Sequence, residues 1–160
     1  MLRLFLALTF FNLLCLFITS TLGYGVSSGH TWSAWHQLSG ALSTLICCAV
    51  HCVVFTYFIA TSKWVRHAIV IKNLNPAMAA PTRSFKAQAL PAALIAMTIV
   101  FITAVTGAAT FSYRIRPTIH HVLSIAALAT NIICALFEYR AIARNGRLID
   151  TILAAVEQSR

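Results

Sequence analysis

Acidic side chains are almost missing from this chain. Glu138, Asp150 and Glu157 stand against twelve lysines and arginines, for a formal net charge of +9. Charged residues make up only 9% and hydrophobic residues 59%, with a mean hydropathy of +0.82. That excludes the usual soluble composition, in which about a quarter of the side chains are charged. Proline (four) and glycine (six) are also scarce, so little interrupts long helical stretches. No Gly-rich phosphate loop, Walker pattern or nucleophile elbow occurs, which removes the common nucleotide-binding and hydrolase signatures. The basic excess sits at segment ends and in one loop, a pattern of membrane topology and not of nucleic-acid binding.

Four apolar stretches fill the chain instead, at about 2–22, 32–61, 87–111 and 117–139, each near the ~20 residues that a bilayer requires. The expected fold is all-α: a bundle of four transmembrane helices in residues 1–144, followed by an amphipathic cytoplasmic tail in 145–160. Pro117 suits the first turn of the last helix, where its missing N–H costs nothing, and Pro91 falls in the first turn or so of the third. The first stretch, with Arg3 before it, could be read as a signal peptide. Its length and its ending, Thr-Leu-Gly-Tyr-Gly without a small-x-small site, favour a retained helix. In the tail, Leu148, Ile149, Ile152, Leu153 and Val156 recur at helical spacing. They predict a short amphipathic helix lying on the membrane surface or a partner, or else an extension of the fourth span.

Lysine and arginine set the orientation. Lys63, Arg66, Lys72, Arg83 and Lys86 surround the middle loop, Arg140, Arg144, Arg147 and Arg160 follow the fourth span, and Arg3 lies at the N-terminus. Only Arg114 and Arg116 lie on the other side. Both termini and the middle loop are therefore expected in the cytoplasm, with the chain a multi-pass membrane protein.

Ionisable groups inside such spans need a task. His36 and His51 are fifteen residues apart, roughly 22 Å along a helix and about 60° apart in azimuth, so nearly on one face. His120 and His121 open the fourth span. Because alternate spans start on the same side, His36 and His121 are expected at matched depth, where two imidazoles could supply both axial ligands of a b-type haem. The shared pattern His-x-Leu-Ser, at His36–Ser39 and His121–Ser124, supports His121. His120 points about 100° away from it, as a supporting group or as the ligand itself. Gly40 would let a flat macrocycle approach its helix. Arg114 and Arg116 would meet haem propionates or lipid headgroups, and Trp32, Trp35 and Tyr113 fit an aromatic belt.

His51 has no symmetrical partner, since Leu136 lies fifteen residues beyond His121. A second haem could take Met97 as a thioether ligand, be five-coordinate, use another subunit, or be absent. His30 and His67 fall at loop positions. Cys48, His51 and Cys52 share a helix face near the depth of Cys134, a set that could hold Cu(I) or Zn(II). Cysteines packed as small hydrophobes explain the same pattern. None of the five cysteines belongs to a Cys-x-x-Cys-His haem-attachment motif. Glu138 reads as an interfacial group snorkelling beside Arg140, with a proton-relay or quinone-site carboxylate as the alternative.

The stretch from Trp35-His36-Gln37-Leu38-Ser39-Gly40 through His51 to Lys63-Trp64 resembles the haem-bearing helix of the four-helix b-type cytochrome membrane subunits of bacteria. Thr106-Gly107 followed by His120-His121 resembles its partner hairpin. The likeness covers roughly 33–64 and 105–140 and departs from the pattern on the fourth span, where the second histidine is absent. It implies an electron-transfer subunit that binds one haem b, or two. Such a subunit passes electrons between quinone or quinol and a redox partner, beside other subunits of a membrane complex. The alternatives are a non-redox structural subunit with hydrogen-bonding histidines, and a Cys/His metal-binding membrane protein.

Overall fold

The computed structural model describes residues 1–29, 31–112 and 115–158. Its elements are α1 (Leu2–Ser27), α2 (Ser33–Ile71), a 3₁₀ turn (Pro76–Ala79), α3 (Pro81–Ser112) and α4 (Pro117–Gln158). All four α-helices are long and apolar enough to cross a membrane. Each packs on its sequence neighbour, and α1 also packs on α4, which closes the bundle. One end carries the α1–α2 and α3–α4 connections and is called the hairpin end. The other carries the termini and the α2–α3 loop and is called the terminal end.

The bundle is inside-out by the standards of a soluble protein. Its interior is lined by small residues, Ala89, Ala92, Ala93, Ala96, Ala127 and Ala141, which let helix backbones approach closely. Large side chains such as Phe10, Leu45, Phe101 and Val122 point outward, as suits a surface solvated by lipid. Trp32 and Trp35 are exposed at the hairpin end, the place for an aromatic belt.

Two helices run well past their apolar cores. α2 has 39 residues and α4 has 42, the latter roughly 63 Å long at helical rise, twice the thickness of a ~30 Å hydrocarbon layer. The amphipathic stretch 148–156 is helical, as its spacing predicts, and is continuous with α4. Its apolar face lies on this protein: Ile152 is buried against Val65 and Ile69 of α2, with Leu148, Ile149, Leu74 and Met78 around them. The middle loop is short and structured. Asn73 takes a left-handed φ of 55° after α2, and the Asn75 side chain accepts from the Ala77 N–H at 2.9 Å to open the 3₁₀ turn.

Pro91 is a correction. α3 begins at Pro81, so Pro91 lies inside the helix and not in its first turn. The exposed ring removes one ladder donor, a defect that membrane helices tolerate where neighbouring groups can satisfy the freed carbonyl.

Candidate functional site

His36 leaves α2 toward α1, where its Nδ1 lies 3.0 Å from the backbone carbonyl of Thr19. His120 leaves α4 toward α3 in the same way, with Nδ1 3.1 Å from the carbonyl of Thr103. A carbonyl can only accept, so Nδ1 carries the hydrogen in both rings and Nε2 holds the lone pair of the neutral imidazole. Each carbonyl already accepts the helical N–H four residues on, and in both helices that residue is glycine. Gly23 and Gly107 leave the second lone pair open and make room for the ring. A Cβ at Gly23 would lie 2.8 Å from Cε1 of His36, and one at Gly107 would lie 2.7 Å from Cε1 of His120.

The two rings meet across the hairpin end with centroids 5.9 Å apart and planes at 67°. Among the described residues neither Nε2 makes a hydrogen bond. Metal–imidazole bonds of about 2 Å, plus roughly 1 Å from nitrogen to ring centre on each side, place the centroids of two axial ligands about 6 Å apart. Rotation about that axis leaves the angle between the planes free. A backbone carbonyl at Nδ1 is also the usual partner that fixes the tautomer and orientation of a ligating histidine. The pair therefore fits the axial positions of a haem on separation, tautomer and helix packing.

The ring that meets His36 is thus that of His120. His121 packs its ring on Tyr24, with centroids 5.4 Å apart and an interplanar angle of 31°, and its ring centroid lies 6.4 Å from that of His120. The sequence held a stronger signal than His-x-Leu-Ser. Phe17-Ile18-Thr19-x3-Gly23-x12-His36 recurs as Phe101-Ile102-Thr103-x3-Gly107-x12-His120, an internal repeat offset by 84 residues. In that register His121 corresponds to Gln37. A Cβ at Gly40 would meet only Thr19 Cγ2, at an ordinary 3.7 Å. Arg116 is exposed just before α4. Arg114, Tyr113, His30 and Arg160 lie outside the described residues.

Hydroxyl pairs continue inward from the two histidines. The Thr19 and Ser43 hydroxyls lie 2.9 Å apart, and those of Ser20 and Ser124 lie 3.0 Å apart. Next comes Asn131, whose Oδ1 receives Cys47 Sγ at 3.4 Å and Asn12 Nδ2 at 3.4 Å. Its Nδ2 donates to the Ala127 carbonyl at 2.9 Å and reaches the Ala96 carbonyl at 3.5 Å. One amide thus contacts groups on all four helices. Deeper still, His51 Nδ1 is 2.8 Å from Glu138 Oε1 and His51 Nε2 is 3.5 Å from Asn131 Oδ1.

Each ring nitrogen of His51 thus faces an oxygen. Met97 is half-buried on α3. Glu138 is not interfacial: it is 0% exposed. The wheel position that puts it one face away from Arg140 turns it into the bundle, where His51 offers a partner. The cysteine-centred metal site does not assemble either. Cys52 faces outward and Cys48 is half-buried, while Cys47 and Cys134 are buried. Among the described residues no three His, Cys, Asp or Glu side chains converge as a metal set would. His67 lies exposed on the extension of α2.

Comparison with protein-family models, with curated proteins and with solved structures found no match.

Proposed function

We propose that this chain is a haem b-binding electron-transfer subunit of a membrane complex, with His36 and His120 as the axial ligands of one haem near the hairpin end. A single observation carries the reading. Twice, in equivalent hairpins, a threonine carbonyl and a glycine fix an imidazole with Nδ1 bonded and Nε2 free, and the two free nitrogens belong to rings 5.9 Å apart. Interhelical glue would not need both glycines, whose missing Cβ atoms make room for the two rings.

Iron held by two imidazoles supplies reversible one-electron transfer. The chain's own groups do the rest. The Thr19 and Thr103 carbonyls orient the rings, and Gly23 and Gly107 let them lie flat on α1 and α3. Arg116, exposed just before α4, stands where propionates would reach the headgroup region, and a guanidinium matches a carboxylate bidentately. By the positive-inside bias the hairpin end faces outward from a bacterial cytoplasmic membrane and the terminal end faces the cytoplasm. Quinol and a partner subunit are the electron-exchange partners on this reading.

The test is optical. Protein purified from membranes should show a reduced-minus-oxidised b-type α band, with about one haem per chain by pyridine haemochrome. Colourless protein from haem-replete cells would favour the structural-subunit reading.

A further inference from the structure

We propose that Glu138, paired with His51 in the middle of the bundle, is a proton-binding site of the membrane interior. Internal water held by Thr9, Asn12 and the free carboxylate oxygen completes the site. Glu138 and His51 are 0% and 3% exposed, and they meet at 2.8 Å through Oε1 and Nδ1. Three buried polar atoms around them have no hydrogen-bond partner: Glu138 Oε2, Asn12 Oδ1 and Thr9 Oγ1. On α1, Thr9 and Asn12 fall between Phe5, which clusters with Ile142, and Leu16, which clusters with Ala127. That interval faces the part of α4 holding Asn131 and Glu138. Two acceptors and a hydroxyl buried in one interval between apolar clusters are the surroundings that an internal water takes.

Holding the helices together does not require an ionisable pair at this layer. Asn131 already joins groups on all four helices with an amide, and an amide is far cheaper to bury than a carboxylate. Titratable groups facing the carboxyl are His51 and Cys47 from α2 and Cys134 from α4. α1 presents Thr9 and Asn12, and α3 presents Ala92 and Ala96. Toward the terminal end, Phe5, Val54, Phe58 and Ile142 form an apolar layer. Toward the hairpin end the polar groups continue through Asn131, Cys47, Ser43 and Thr19, so exchange runs on that side. The chemistry is a proton transfer alone. An O–H bond forms on the carboxyl when internal water delivers a proton, and it breaks when the proton returns.

Isotope-edited infrared spectroscopy of the full chain in lipid vesicles tests this without a bound haem. The chain holds two glutamates, Glu138 and the exposed Glu157, so ¹³C-glutamate in a Glu157→Gln background reports Glu138 alone. The labelled acid carbonyl band should appear and vanish reversibly with pH, with single-site amplitude, over the range in which the bundle stays folded. Its midpoint should shift in His51→Gln, and the band should be missing in Glu138→Gln. A carboxyl that stays in one form across that range would overturn the proposal, as would an unshifted midpoint in His51→Gln. A haem-free sample whose Glu138 titrates would support this site while sinking the haem assignment, so the two can fail separately.

Discussion

His36 on α2 and His120 on α4 present their rings to each other at 5.9 Å, each tethered to the helix before it by a carbonyl seventeen residues back in sequence. The equal spacing means that each α-hairpin builds one half of the site unaided. The bundle then has only to bring two finished halves together.

The proposed ligand assignment has a direct test. His36→Ala and His120→Ala should each drop haem from about one per chain to none, because removing either imidazole removes a whole axial bond. His121→Ala loses ring contacts with Tyr24 and with the His120 ring but no ligand, and should retain full haem. Pyridine haemochrome assays of the three variants decide this. Loss in His121→Ala with retention in His120→Ala would restore the other pairing.

How far this was legible follows from the physics of each feature. Span count and helical class come from hydropathy, which is local, so all four helices were readable. Their lengths were not: α2 and α4 leave the apolar stretches and continue because Val65, Ile69 and Ile152 cover one another, a tertiary reward invisible to a hydropathy window. His36 stood out as a charge-capable group in lipid. Choosing between His120 and His121 needed the helix rotation, which follows from packing at Gly107 and not from depth. The repeat of Thr, Gly and His at an offset of 84 residues pairs His120 with His36 from the sequence alone. Glu138 was misplaced because its position near Arg140 suggested the interface, and the neutralising partner was 87 residues away on another helix.

The glycine cradles are testable by the smallest possible change. Gly23→Ala and Gly107→Ala put a methyl 2.8 Å and 2.7 Å from an imidazole carbon, so the ring must move or the helices must part. Overpacking of this kind costs about 1–3 kcal/mol. Both variants should lower haem occupancy and alter the low-spin ferric EPR signal, which reads ligand orientation. Gly40→Ala, with its nearest contact at an ordinary 3.7 Å, should change neither. An unaltered EPR spectrum in Gly23→Ala and Gly107→Ala would show that the rings are not held against these helices.

The buried pair makes a separate stability prediction. His51→Ala leaves Glu138 in the bundle without its partner, a situation that costs about 3–5 kcal/mol when the charge persists. Replacing both residues by leucine removes the uncompensated group and should recover most of that loss. Thermal unfolding in mild detergent, read by helical circular dichroism, compares the single and double variants. Additive losses would mean that the two side chains are not coupled.

The extensions past the membrane should behave as a unit of their own. Ile152 is fully buried between the ends of α2 and α4, while Asn145 ties α4 to the Tyr57 hydroxyl at 3.0 Å and to the Thr61 hydroxyl at 3.1 Å just before them. Trimming a buried isoleucine to alanine costs about 2–5 kcal/mol. A contact cluster this small has little else to hold it, so Ile152→Ala should fray the last turns of α4 back toward Asn145. Trypsin should then cut faster at Arg147, which follows that tie, than at Arg140, which precedes it. Haem content should stay unchanged, because the His36–His120 pair lies at the opposite end of the bundle. Equal cleavage rates at Arg147 in the wild type and the variant would mean that α4 does not depend on α2 for its final turns.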